Sequence, residues 1–114
     1  MVQNNPIANV EVRKVYYKSG ALWWETPYKN GQRHGILKGY HESGALMVET
    51  PYVDGKEHGI VKWYYPSGAL RRESQYENGK MHGLEKDYEE GKSNIVSLTL
   101  YDKGREVTSV KFSI

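Results

Sequence analysis

The stretch YHESGALMVETPYVDGKEHG, residues 40–59, decides the fold. Almost the same phrase stands 24 residues earlier, as YYKSGALWWETPYKNGQRHG at 16–35. It returns 24 residues later, as YYPSGALRRESQYENGKMHG at 64–83. A phrase repeated with varied letters marks one structural unit used several times. Three copies are laid out as residues 12–35, 36–59 and 60–83, and a degenerate fourth runs over 84–107. Their phasing sets a single repeat domain over residues 1–114, and REVTSVKF at 105–112 supplies a last edge strand.

Each copy reads as a β-hairpin. Ser-Gly makes the turn inside the copy, and Asn-Gly or Asp-Gly begins the link to the next. The runs between turns are about seven or eight residues of strand-type content. Gly or Pro recurs too often for a helix, and the apolar spacing is not 3.6. The fold class is therefore all-β, an elongated antiparallel meander of stacked β-hairpins. One hairpin is marginal in water, but stacked hairpins bury each other's faces.

Composition supports this and narrows the function. Ten Tyr, three Trp and twelve Gly stand against one Phe. Tyr and Trp favour strands, and Gly favours turns. With a mean hydropathy of -0.77, burial must rest on amphipathic aromatics. Net charge is +2, from 16 basic and 14 acidic residues. That balance argues against nucleic acid or an anionic membrane as partner. No Cys is present, which excludes disulfides, thiolate zinc sites and a Cys nucleophile. The start, MVQNNPIANVEVRK, has no apolar leader, and no run is long enough to cross a bilayer. A cytoplasmic protein is the expectation.

Side chains on a strand alternate between faces. In the second copy, one face is read as Ile36, Lys38, Tyr40, Leu46, Val48, Thr50 and Tyr52. It holds the positions that keep their character from copy to copy, so it is read as the packed spine. The other face carries the letters that change. It is read as Val15, Tyr17 and Trp23, then Leu37, His41 and Met47, then Val61, Trp63, Tyr65 and Arg71. Trp, Tyr, Met and Arg are enriched where proteins bind one another. The candidate partner-binding residues are Tyr17, Trp23, His41, Met47, Trp63, Tyr65 and Arg71. A second buried layer is the other reading of this face.

The motif search points away from catalysis. His34, His58 and His82 recur at 24 residues, but equivalent positions two strands apart lie about 9–10 Å from one another. Two such His cannot share one zinc ion, so turn chemistry is expected and no metal. Glu25, Glu49 and Glu73 recur too, yet nothing sets their environments apart as acid–base work requires. Pairing with Lys or Arg, or accepting from a turn amide, is expected. Ser19, Ser43 and Ser67 sit at turns, and no nucleophile-elbow or phosphate-loop signature occurs. Neither a catalytic residue nor a cofactor is expected.

Tyr-x-x-Ser-Gly-Ala-Leu followed by Glu-Thr-Pro-Tyr-x-x-Gly-Lys-x-x-Gly resembles the MORN repeat variant found mostly in bacterial proteins. The likeness covers Tyr16–Gly35, Tyr40–Gly59 and Tyr64–Gly83, and partly Tyr88–Gly104. The resemblance implies a hairpin meander. For small free-standing members it implies an antitoxin or immunity protein, which binds and neutralises a cognate protein toxin. It also implies an alternative, a structural scaffold or a phospholipid contact, and exposed edge strands would let such a scaffold self-associate, for example as a homodimer. It carries no fixed catalytic motif.

Overall fold

The computed structural model describes residues 9–112. Residues 1–8, most of the stretch read as lacking a leader, lie outside the described residues, as do 113–114. No described residue is helical, and no helix is long and apolar enough to cross a membrane.

Eleven strands form one antiparallel sheet. They are β1 (Val10–Tyr16), β2 (Leu22–Lys29), β3 (Gln32–Arg33), β4 (Gly35–Tyr40), β5 (Leu46–Val53), β6 (Lys56–Glu57), β7 (Gly59–Tyr64), β8 (Leu70–Glu77), β9 (Lys80–Tyr88), β10 (Ile95–Asp102) and β11 (Arg105–Lys111). The path is β1-β2-β4-β5-β7-β8-β9-β10-β11, with β3 paired to β2 and β6 to β5. The expected meander of stacked hairpins is what the chain forms. Extents of 65 × 38 × 20 Å describe a thin, elongated slab.

Turn chemistry explains the chain reversals. The Ser-Gly loops close as Tyr17 N–H to Ala21 C=O at 2.8 Å and Gly20 N–H to Tyr17 C=O at 2.9 Å, and recur at His41 and Tyr65. The Asn-Gly and Asp-Gly pairs are two-residue turns with both residues at positive φ: Asn30 at 51° and Gly31 at 81°, Asp54 at 48° and Gly55 at 87°. That is the turn whose twist matches flanking strands, and it favours these residue types. In the fourth copy Lys103 takes the same conformation, at φ 49°. A Lys gains nothing there from the local side-chain bonding that lets Asn tolerate it. Lys103→Asn is therefore expected to stabilise the chain by about 0.5–1 kcal/mol. A urea midpoint that stays put or falls would contradict this.

The register corrects the assignment of faces. Cross-strand partners lie on the same face. Tyr40 pairs with Leu46, but Gly39 pairs with Val48, so Met47 is the extra residue of a β-bulge. Trp23 and Arg71 are the extra residues in the neighbouring copies. Beyond the bulge, Val48, Thr50 and Tyr52 share a face with Leu37 and Gly39, not with Ile36, Lys38 and Tyr40. Among the described residues the buried apolar side chains are Leu37 and Val61, read as free, and Val48, read as spine, all on one face. Ile36 and Ile60, read as spine, are exposed.

The other face carries a charge ladder. Its pairs run Lys14↔Glu25, Glu25↔Lys38, Lys38↔Glu49, Glu49↔Lys62, Lys62↔Glu73 and Glu73↔Lys86. Every Glu thus lies between two Lys, and opposite charges across strands stabilise a sheet modestly. Each Glu also accepts a tyrosine O–H from the next copy: Tyr40 to Glu25 at 3.4 Å, Tyr64 to Glu49 at 2.7 Å, and Tyr88 to Glu73. Desolvation, together with that carboxylate, pushes Tyr64 and Tyr88 up to about 12 from the ordinary phenol value of about 10. A raised folded pKa means this contribution is full below pH 10 and is lost as pH rises through 12. An absorbance titration should show a late tyrosine phase near pH 12, coupled to unfolding. A single phase near the ordinary value would count against the Tyr–Glu bonds.

Candidate binding cleft

One row of side chains builds the cleft. Across the sheet the partners run Val15, Trp24, Gly39, Val48, Trp63, Arg72, Asp87. Trp24 and Trp63 stand three inter-strand steps apart, about 14 Å. Between them lie Gly39, which has no side chain, and Val48, which is 2% exposed. Trp24 leans over Gly39, since a Cβ there would sit 2.5 Å from the Trp24 ring. The next row adds Thr26, Leu37 and Thr50, all buried. Tyr28 and Tyr52 close the end near the Asn-Gly and Asp-Gly turns. The result is a hollow of about 500 Å³ whose floor is aliphatic and threonine and whose walls are aromatic.

Arginines rim the hollow. Arg13 lies 4.1 Å over the Tyr28 ring and 3.0 Å from Glu11. Arg33 lies 5.4 Å over Tyr52 and donates to its hydroxyl at 3.3 Å. Beyond Trp63 a second hollow of about 200 Å³ is lined by Trp63, Arg71 and Arg72. Arg72 is held by Asp87 at 2.6 Å, and the buried Glu85 accepts from Ser74 at 2.9 Å.

Of the seven residues singled out in the sequence, Trp63 stands in the central row and Arg71 lines the second hollow, while Tyr17, Trp23, His41, Met47 and Tyr65 line neither hollow and lie next to the Ser-Gly loops. A bulge re-aims the extra side chain, and here it sets that residue beside the residue before the Ser-Gly loop. Trp23 stacks on Tyr17 with ring centroids 4.8 Å apart, and Arg71 lies 5.8 Å over Tyr65. Trp23 is 37% exposed and Trp63 is 38% exposed, while Met47 is half-buried. Tyr17, His41 and Tyr65 also have a job in the stack. Tyr17 donates to the Tyr40 carbonyl at 2.6 Å and Tyr65 to the Tyr88 carbonyl at 2.9 Å. His41 Nε2 reaches the Tyr64 carbonyl at 3.4 Å. These three tie each copy to the next, and only their ring surfaces remain for contact.

Trp24, Tyr28, Tyr52, Arg13 and Arg33 complete the cleft and are absent from the seven, because Tyr52 was read as spine and Trp24 and Tyr28 stand one repeat before the spine positions Val48 and Tyr52. One signal was available. Gly39 sits inside a strand, where glycine marks close approach of something large. The histidine series is turn chemistry. His34, His58 and His82 each accept at Nδ1 from the backbone amide of Asp54, Asn78 and Lys103, at 3.4, 3.4 and 3.1 Å. The glutamate series accepts from tyrosines rather than from turn amides.

No curated protein and no solved structure matches the chain. Two segments do match a family model, that of the MORN repeat variant: residues 33–54, which run from β3 to the Asp-Gly turn, and residues 57–80. Two stretches in the middle of the chain are thus similar to the MORN repeat variant, and that similarity points to a binding or scaffold role.

Proposed function

We propose that this chain is a non-catalytic, cytoplasmic binding protein, and that it neutralises a cognate protein toxin by occupying it, as an antitoxin or immunity protein does. The observation that carries the reading is the open hollow walled by Trp24 and Trp63, with the Trp23 ring 6.1 Å from that of Trp24 and with Trp23 and Trp63 more than a third exposed. Buried aromatic anchors ringed by polar groups dominate protein recognition. A near-neutral charge and interleaved Lys and Glu favour a protein partner over nucleic acid or membrane. The test is isolation of a stoichiometric complex from the native host, followed by expression of the captured protein alone and together with this chain. Growth arrest relieved by co-expression is the expected result. A captured protein that is harmless alone would end the toxin reading.

A scaffold reading has its own observation. The edge strands β1 and β11 are exposed along their whole length, with Val10, Val12, Val107 and Val110 more than half open to solvent. Unpaired edges template pairing with another chain. A mass that rises with concentration in sedimentation, and is reduced by Val12→Lys or Val110→Lys, is what this reading expects.

A further inference from the structure

Charge on this protein is segregated by residue type. Four of its five arginines, Arg13, Arg33, Arg71 and Arg72, line the two adjoining hollows of the cleft face, which share Trp63 as a wall. None of its eleven lysines lines either one, and neither does any Asp or Glu. The lysines of the charge ladder, Lys14, Lys38, Lys62 and Lys86, belong to the opposite face, where each stands beside Glu. Two of the cleft arginines are already matched, Arg13 by Glu11 and Arg72 by Asp87. The other two are exposed and form no ion pair among the described residues. Arg33 meets only tyrosines, and Arg71 lies over the Tyr65 ring.

We infer that the cleft receives an acidic segment of a partner polypeptide: an aromatic or leucine side chain seats between Trp24 and Trp63, and carboxylates on either side of it engage Arg33 and Arg71. This deepens the protein-binding reading above and rests on it. The chemistry follows from the guanidinium. It is planar, offers a fork of donors that matches a carboxylate, and remains charged while stacked on an aromatic ring. The floor of Leu37 and Val48 takes an apolar group, not a second charge. Arg33 and Arg71 are offset by about 14 Å across the strands, from β3 to β8, and by four to five residues along them, so about 20 Å separates them, a span that six or seven extended residues cover. Phosphate could also engage arginine, but a nucleic-acid backbone calls for a continuous basic surface, and the lysines here are interleaved with glutamate.

The experiment uses the full chain and no identified partner. A library of short random peptides is selected on the folded protein at near-physiological salt. Enriched peptides should carry Asp or Glu on both sides of Phe, Trp or Leu. A synthetic copy of the best one should bind at least about tenfold more weakly to Arg33→Glu and to Arg71→Glu. Both side chains are at the surface, so the far-UV spectrum should not change. A peptide with its matching acids replaced by Lys should regain binding to the reversed variant. Enrichment of neutral or basic sequences, or binding indifferent to both reversals, overturns the acidic-segment inference. The broader binding reading survives that result if the same peptides still fail on Trp63→Ala. Selection that gives nothing better on the wild type than on Trp63→Ala sinks both. An oligothymidylate bound more tightly than any selected peptide, and lost in the same two variants, overturns the inference in favour of nucleic acid.

Discussion

Gly39→Val should lower the stability of this protein by about 2–3 kcal/mol, the upper part of the range for forcing extra carbons into a packed site. Gly39 is in the interior of β4 and is not one of the positive-φ glycines, so backbone strain is not the cause. The cause is steric. A Cβ at this position would lie 2.5 and 2.9 Å from two carbons of the Trp24 ring and 2.9 Å from Val48 Cγ1. Val48 is the most buried side chain of the sheet, and its own pairs hold Gly39 on one side and Trp63 on the other. It cannot yield, so the Trp24 ring must be expelled and one wall of the cleft goes with it. A thin sheet with three buried apolar side chains among the described residues has little stability in reserve. Gly44 provides the control. It has φ 96°, and a Cβ there would meet nothing within 4 Å, so Gly44→Val meets turn strain alone. Urea melts of both variants compare the two causes. A Gly39→Val midpoint equal to wild type would show that Trp24 does not depend on the missing side chain.

Trp63→Ala should weaken capture of the protein partner by about 2 kcal/mol or more, roughly thirtyfold, while leaving the sheet folded. Trp63 is the shared wall of both hollows and is 38% exposed, so a partner gains by covering it. Its backbone remains paired with Val48 and Arg72 whatever its side chain. Titration calorimetry against the isolated partner, beside a far-UV spectrum, separates the outcomes. Full affinity in the variant would move the interface away from this cleft. Loss of the strand spectrum would instead make Trp63 a structural residue.

Much of the architecture is legible in the letters because the turns are chemical. Asn30-Gly31, Asp54-Gly55 and Asn78-Gly79 occupy conformations that few other residues accept, and Gly20, Gly44 and Gly68 close the alternate loops at φ 94–96°. These turns recur in phase, so strand lengths and order follow from them. The histidines were also legible as turn chemistry, since the expected distance between copies forbids a shared ion. The candidate site was legible only in part. Trp63 and the Tyr17–Trp23 and Tyr65–Arg71 pairs could be picked out as varied, contact-prone letters. Arg13, Trp24, Tyr28, Arg33 and Tyr52 could not, because their common face depends on pairing that no single strand displays.

What the sequence by itself determined is the repeat, its hairpins and the antiparallel meander, because positive-φ turns and 24-residue phasing are local properties of the chain. What only the tertiary structure decided is which side of the sheet is the cleft and which is the ladder. Alternation has a period of two, so one extra residue reverses it. Trp23, Met47 and Arg71 are those extra residues, and their effect exists only once each strand has chosen its register against the next.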